Sequence, residues 1–82
     1  MKIREPEWQY DEEMDYYHDC IEQFVFTIKK KENVLEWKIV KISLALGNIP
    51  MRRGVSNSVE EAKADCCSSW KDLIKEMFLE DE

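Results

Sequence analysis

An α+β fold, with a three-stranded antiparallel sheet and room for a fourth strand packed against one long C-terminal helix, is predicted by three features of this 82-residue sequence. Apolar residues recur at three- and four-residue steps near the C-terminus. They alternate every second residue in the middle of the chain. Clusters of turn-forming residues separate the two patterns.

The helix is expected over 58–79. It opens with Ser58-Val59-Glu60-Glu61, a capping-box pattern in which the serine hydroxyl and the acid three residues on each satisfy an orphan backbone N–H. Glu60 and Glu61 also suit the positive end of the helix dipole. Val59, Ala62, Cys66, Trp70, Leu73 and Met77 form an apolar stripe, with Cys67, Ile74 and Phe78 beside it. Small Ala62, Cys66 and Cys67 in the first half favour close approach to a sheet.

The sheet is expected over 20–55. Phe24, Phe26 and Ile28 alternate with Val25, Thr27 and Lys29, and Lys30-Lys31-Glu32-Asn33 makes a polar turn. Leu35, Trp37 and Ile39 then resume the alternation, which together describes a β-hairpin. Val40 and Ile42 fall on the opposite parity and imply either a bulge in this second strand or burial of both its faces near its end. Gly47-Asn48 supplies another turn, and Ile49 to Val55 forms a third, shorter strand, with Pro50 placing it at an edge or near a strand start.

Residues 1–19 form an acidic, aromatic N-terminal segment. Pro6 and the run Asp11-Glu12-Glu13 predict a loop or a short N-terminal helix over 11–19, the alternative being an additional strand with Trp8 and Tyr10 on one face. No internal repeat or linker divides the chain, so 1–82 is expected to be one domain. At this length folding buries only about 60% of the surface of the unfolded chain, enough for one modest core.

Charge is segregated along the sequence. Residues 1–22 carry two basic and eight acidic side chains, 23–53 seven basic and two acidic, and 54–82 three basic and eight acidic. The net charge of -6 argues against generic attraction to phosphate backbones or anionic membranes. No apolar run reaches the length of a membrane span, and Met1-Lys2-Ile3-Arg4-Glu5-Pro6 lacks a signal peptide's apolar core, so the expected location is the cytosol. Three cysteines, two of them adjacent, do not make a disulfide framework and are expected to be reduced.

His18, Cys20, Cys66 and Cys67 have the atoms of a zinc site, but neighbouring helical residues point about 100° apart and no C-x-x-C occurs, so no metal is expected. His18 and Cys20 as base and nucleophile lack a marked orienting group or oxyanion hole. Phosphate-binding, dinucleotide and G-x-S-x-G motifs are absent from the sequence. The chain is therefore expected to bind and not to catalyse, with no cofactor.

Two surfaces are candidates for that binding. Trp8, Tyr10, Asp11, Glu12, Glu13, Asp15, Tyr16, Tyr17 and Asp19 combine carboxylates that imitate nucleic-acid phosphates with aromatic anchors of the kind that dominate interfaces. Lys29, Lys30, Lys31, Arg52 and Arg53 are the only compact basic groups and provide the alternative, a nucleic-acid-binding surface. The structural reading of the same residues is an aromatic cap on the core, lysines that blunt a hairpin and arginines paired with the protein's own acids. Acids around Met77, Phe78 and Leu79 oppose the helix dipole, and the segment is read either as a docking peptide or dimer contact, or as core residues followed by a solubilising tail.

Gly54-Val55-Ser56-Asn57-Ser58-Val59-Glu60-Glu61-Ala62-Lys63, read as a short strand ending in glycine and then a capped helix carrying Glu-Ala-Lys, resembles the strand-to-helix passage of small phage and prophage proteins built as a β-meander with one C-terminal helix. Some of these are anti-defence inhibitors such as anti-CRISPR proteins. The resemblance covers roughly residues 34–74. Ser58, Ala62-Lys63 and Cys66-Cys67 also look like the last helix of the double-stranded-RNA-binding domain. Where that family presents basic residues at the helix start, this chain has Val59, Glu60 and Glu61, so shared fold would not imply shared RNA binding.

The leading expectation is a phage-type inhibitor that blocks a basic, nucleic-acid-handling protein by steric or acidic mimicry. A small nucleic-acid-binding domain and a homodimeric accessory protein are the alternatives, with monomer and homodimer both open.

Overall fold

The computed structural model describes residues 4–78, the side chain of Phe78 excepted. Five strands, β1 (Gln9–Asp11), β2 (Tyr16–Ile21), β3 (Phe24–Lys31), β4 (Val34–Ser43) and β5 (Gly47–Ser56), precede one helix, α1 (Val59–Phe78). The strands form a single antiparallel meander in chain order. The expected sheet of three or four strands is thus corrected to five, and the expected short N-terminal helix is replaced by β1, a turn and β2. The expected helical residue Leu79 lies outside the described residues.

The reason for the correction is visible in β2. Its core-facing positions are Tyr17, Asp19 and Ile21, opposite Ile28, Phe26 and Phe24. A carboxylate at the central position interrupts the apolar alternation that marks a half-buried strand. Asp19 is nevertheless buried, because Arg4 Nη1 donates to its Oδ2 at 2.9 Å and the Glu7 backbone N–H donates to the same oxygen at 2.8 Å. Residues 4–8 thereby strap across the inner face of the sheet, where Trp8 meets Phe26 edge to face at 6.3 Å.

Two-residue turns at Glu22-Gln23 and Glu32-Asn33 hold the register of β2, β3 and β4. Glu22 (φ 55°) and Glu32 (φ 59°) take the left-handed conformation at the first turn position, which sequence composition does not advertise because glycine is its usual occupant. The two alternatives for the second strand of the hairpin, a bulge or burial of both faces near its end, are both revised: β4 is regular against β3 throughout. The irregularity lies in β5, where Ile39 pairs with Arg52 and Val40 with Pro50, leaving Met51 as the extra residue. Val40 and Ile42 therefore face away from the helix, Val40 half-buried and Ile42 exposed.

The core lies between the sheet and α1. Ile21, Phe24, Phe26, Ile28, Trp37 and Ile39 meet Ala62, Cys66, Trp70 and Leu73, the stripe expected from helical spacing. Trp70 is 1% exposed, with its ring centroid 5.0 Å from those of both Phe24 and Phe26. Its Nε1–H donates to the Arg4 carbonyl at 2.9 Å, joining the helix to the N-terminal strap. Ser58 Oγ accepts the Glu61 N–H at 3.1 Å and starts the helix. Because α1 packs over β3, β4 and β5, the other face of the sheet has no covering element among the described residues.

Candidate functional site

The turn between β1 and β2, residues 12–15, and the Asp11 that ends β1 gather four carboxylates within five residues: Asp11, Glu12, Glu13 and Asp15 surround Met14. Its conformation is built by those acids. Asp11 Oδ1 accepts the backbone N–H groups of Glu13 at 3.0 Å and Met14 at 3.1 Å, a side-chain turn of the type aspartate forms readily. Asp15 (φ 53°) accepts the Tyr10 hydroxyl at 2.5 Å, and that bond, followed by desolvation, pushes the Tyr10 hydroxyl up to about 12. Asp11 and Asp15 are thus structural, whereas Glu12 and Glu13 are exposed and form no ion pair among the described residues. Beside them Met14 is 67% and Tyr10 49% exposed.

The remaining members of the expected acidic and aromatic surface are dispersed. Trp8 and Tyr17 pack against the core, and Lys63 Nζ sits 4.7 Å from the centroid of the Tyr17 ring. Asp19 is buried under the strap. Burial alone would raise its pKa, but the bond from Arg4 and the backbone N–H groups of Glu7 and Cys20 outweigh this and hold the carboxyl below its ordinary value. Tyr16 lies on the uncovered face of the sheet, stacked on His18 at 5.1 Å with Lys29 Nζ 5.3 Å from its centroid.

The basic candidates are sorted by the register. Arg52 occupies the helix side of β5 and is bound to Glu76 of α1, so it does not join a common basic surface with Arg53. Lys30 shares the inner-face parity of Ile28, at the end of β3. Lys29, Lys31 and Arg53 lie on the uncovered face, together with Lys38, which was not among the basic residues singled out from the sequence. Lys38 pairs directly with Arg53 and with Thr27, so a single row, Gln9, His18, Thr27, Lys38 and Arg53, crosses all five strands. Counting two residues for each tight turn would align His18, Thr27 and Lys38 from sequence alone, once the turns are placed.

The thiols are separated. Cys66 is fully buried and burial pushes its thiol up to about 12, while Cys67 is half-buried and raised by burial and then by nearby Glu5. Cys20 is exposed on the sheet face, with Sγ 3.6 Å from the Glu22 carbonyl. Among the described residues no three His, Cys, Asp or Glu side chains are grouped so that they could hold a metal ion. No described helix is long and apolar enough to cross a membrane. At the opposite end of the sheet, exposed Leu44 and Leu46 flank an open groove of about 660 Å³ beside Ile42 and Ile49.

Comparison with protein-family models, curated proteins and solved structures finds no match to this chain.

Proposed function

We propose that the protein is a non-enzymatic protein-binding module, a phage-type inhibitor that presents its acidic β1–β2 turn to a basic, nucleic-acid-handling partner. The observation that carries this reading is that Glu12 and Glu13 form no ion pair among the described residues, on a turn that Asp11 and Asp15 hold in place, with Met14 and Tyr10 exposed beside them. Fixed like charges side by side cost the free protein stability and favour a partner that supplies the opposite charge. The exposed methionine and tyrosine add the apolar contact area on which interface affinity usually rests.

The helix thiols do not suit thiolate chemistry. Cys66 and Cys67 both have raised pKa values and stay protonated, hence poorly nucleophilic, at neutral pH.

The test is capture of basic proteins from a nuclease-treated bacterial lysate by the tagged chain and by its Glu12→Gln/Glu13→Gln variant. These two residues are chosen because neutralising Asp11 or Asp15 would also dismantle the turn. A basic nucleic-acid-handling protein retained by the native chain, released by salt and lost by the variant is the expected result. Equal retention by both chains would eliminate the acidic turn as the contact.

A further inference from the structure

We propose that the uncovered face of the sheet binds single-stranded nucleic acid, with Lys29, Lys38 and Arg53 following its phosphates. This surface is separate from the acidic turn, and the inference does not rest on the function assigned to that turn.

The first observation is an unfavourable pair. Lys38 of β4 and Arg53 of β5 stand directly opposite each other on an exposed face. Like charges at such positions destabilise a sheet. The nearest relief is Glu36, whose Oε1 lies 3.4 Å from Lys38 and whose Oε2 lies 3.9 Å from Lys31. One carboxylate therefore serves two lysines, and among the described residues Lys29 and Arg53 form no ion pair. A bound anion would supply the missing charge.

The second observation is how charge divides between the two sides of the molecule. The exposed acids Glu60, Glu61, Asp72 and Glu76 belong to the helix, whereas Lys29, Lys31, Lys38 and Arg53 belong to the sheet face opposite it. The net charge of -6 thus conceals a basic strand face on which, among the described residues, the carboxylates are Glu36 and, at the β1 edge, Asp11. Lys29 and Lys38 are diagonal neighbours, about 7–8 Å apart along the backbone lattice, and Arg53 lies one strand further on. Together they trace a track across the strands.

The third observation selects the anion. Tyr16 and His18 stack at 5.1 Å with 30° between their rings, half-exposed at the side of that track. Aromatic surface beside a row of cations suits unstacked bases, whose sequence-independent binding combines stacking with phosphate contacts. A broad sheet face accepts splayed bases of a single strand, while a duplex offers its bases only at groove edges.

The test is fluorescence anisotropy of labelled 20-nucleotide oligothymidine and oligouridine, about 20 nucleotides being enough to cross the face, titrated with the full chain from low to high salt. The native chain is expected to bind at low salt and to release as salt rises. Lys29→Gln/Lys38→Gln/Arg53→Gln should weaken binding at least about tenfold and lower the log–log salt slope by about 2, roughly 0.7 for each phosphate contact removed. Glu36→Gln, which frees Lys31 and Lys38, should tighten binding, and Arg52→Gln on the helix side should leave it unchanged. Glu12→Gln/Glu13→Gln should not weaken it, which separates this surface from the acidic turn. No complex at low salt, equal binding by the triple variant, or equal competition by polyglutamate would overturn the assignment.

Discussion

Gly54 lies directly beneath the indole of Trp37, its cross-strand partner: a Cβ placed on Gly54 would stand 2.5 Å from Cζ2 and 2.7 Å from Cε2 of that ring. Glycine is required here by space. Closing the contact would force a buried tryptophan off its position, so Gly54→Ala is expected to destabilise the fold by about 1–3 kcal/mol, the usual range for overpacking.

The same pair predicts a rescue. Trp37 Nε1 is buried without a hydrogen-bond partner among the described residues. Trp37→Phe removes both that orphan donor and the ring atoms that meet position 54, at the expense of some apolar contact. The double variant should therefore be less destabilised than the sum of the two singles, measured by urea unfolding. Strict additivity would mean that the ring moves aside freely.

The buried carboxylate predicts acid sensitivity. Asp19 has a folded pKa below its ordinary 3.8, so the folded state favours the charged form and gains stability above that ordinary value. This gain is lost as pH falls from there through the folded pKa. In Arg4→Gln the dominant bond to Asp19 is gone, and the burial that already opposes ionisation prevails. The dependence of the urea midpoint on pH should then flatten or reverse between about pH 5 and 2; an unchanged profile would remove the Arg4–Asp19 bond from the balance.

Thiol chemistry should follow burial. At about pH 8, iodoacetamide is expected to modify exposed Cys20 first, Cys67 slowly, and Cys66 only after unfolding, since its thiol is both enclosed and held protonated. Peptide mapping by mass spectrometry reads the order. Early loss of Cys66 would show that the helix opens from the sheet in the native state.

Two serines at the strand-to-helix passage should differ in effect. Ser58→Ala removes a helix cap and is expected to cost about 1 kcal/mol. Ser56, 3% exposed, donates to Asp65 Oδ2 at 2.6 Å and ties the end of β5 to α1. Ser56→Ala should cost more, about 1.5–3 kcal/mol, because that bond is to a charged group. Thermal unfolding of both variants tests the ranking.

The C-terminal helix and the central hairpin were legible in the sequence because their signals are local. A capping serine and an apolar stripe mark α1, and the alternation of Phe24, Phe26 and Ile28 with their neighbours marks β3, each within a few residues of chain. A strand through Tyr10 stands only as an alternative in the sequence, and β2 was not legible, because it carries Asp19 at a core position. Only the distant Arg4 guanidinium and Glu7 N–H, brought there by the folded strap, make a carboxylate acceptable at that point.

The same division holds for the surfaces. Amino-acid sequence alone determined that acids crowd residues 11–15 and that Lys29, Lys30, Lys31, Arg52 and Arg53 hold most of the central positive charge. Tertiary structure decided which of them act together. It committed Asp11 and Asp15 to building a turn, paired Arg52 with Glu76 on the helix side, and set Lys38 against Arg53. Composition specifies charge, but strand parity and register specify its direction, and a bulge at Met51 or a left-handed turn at Glu32 changes that direction without leaving a strong mark on local composition.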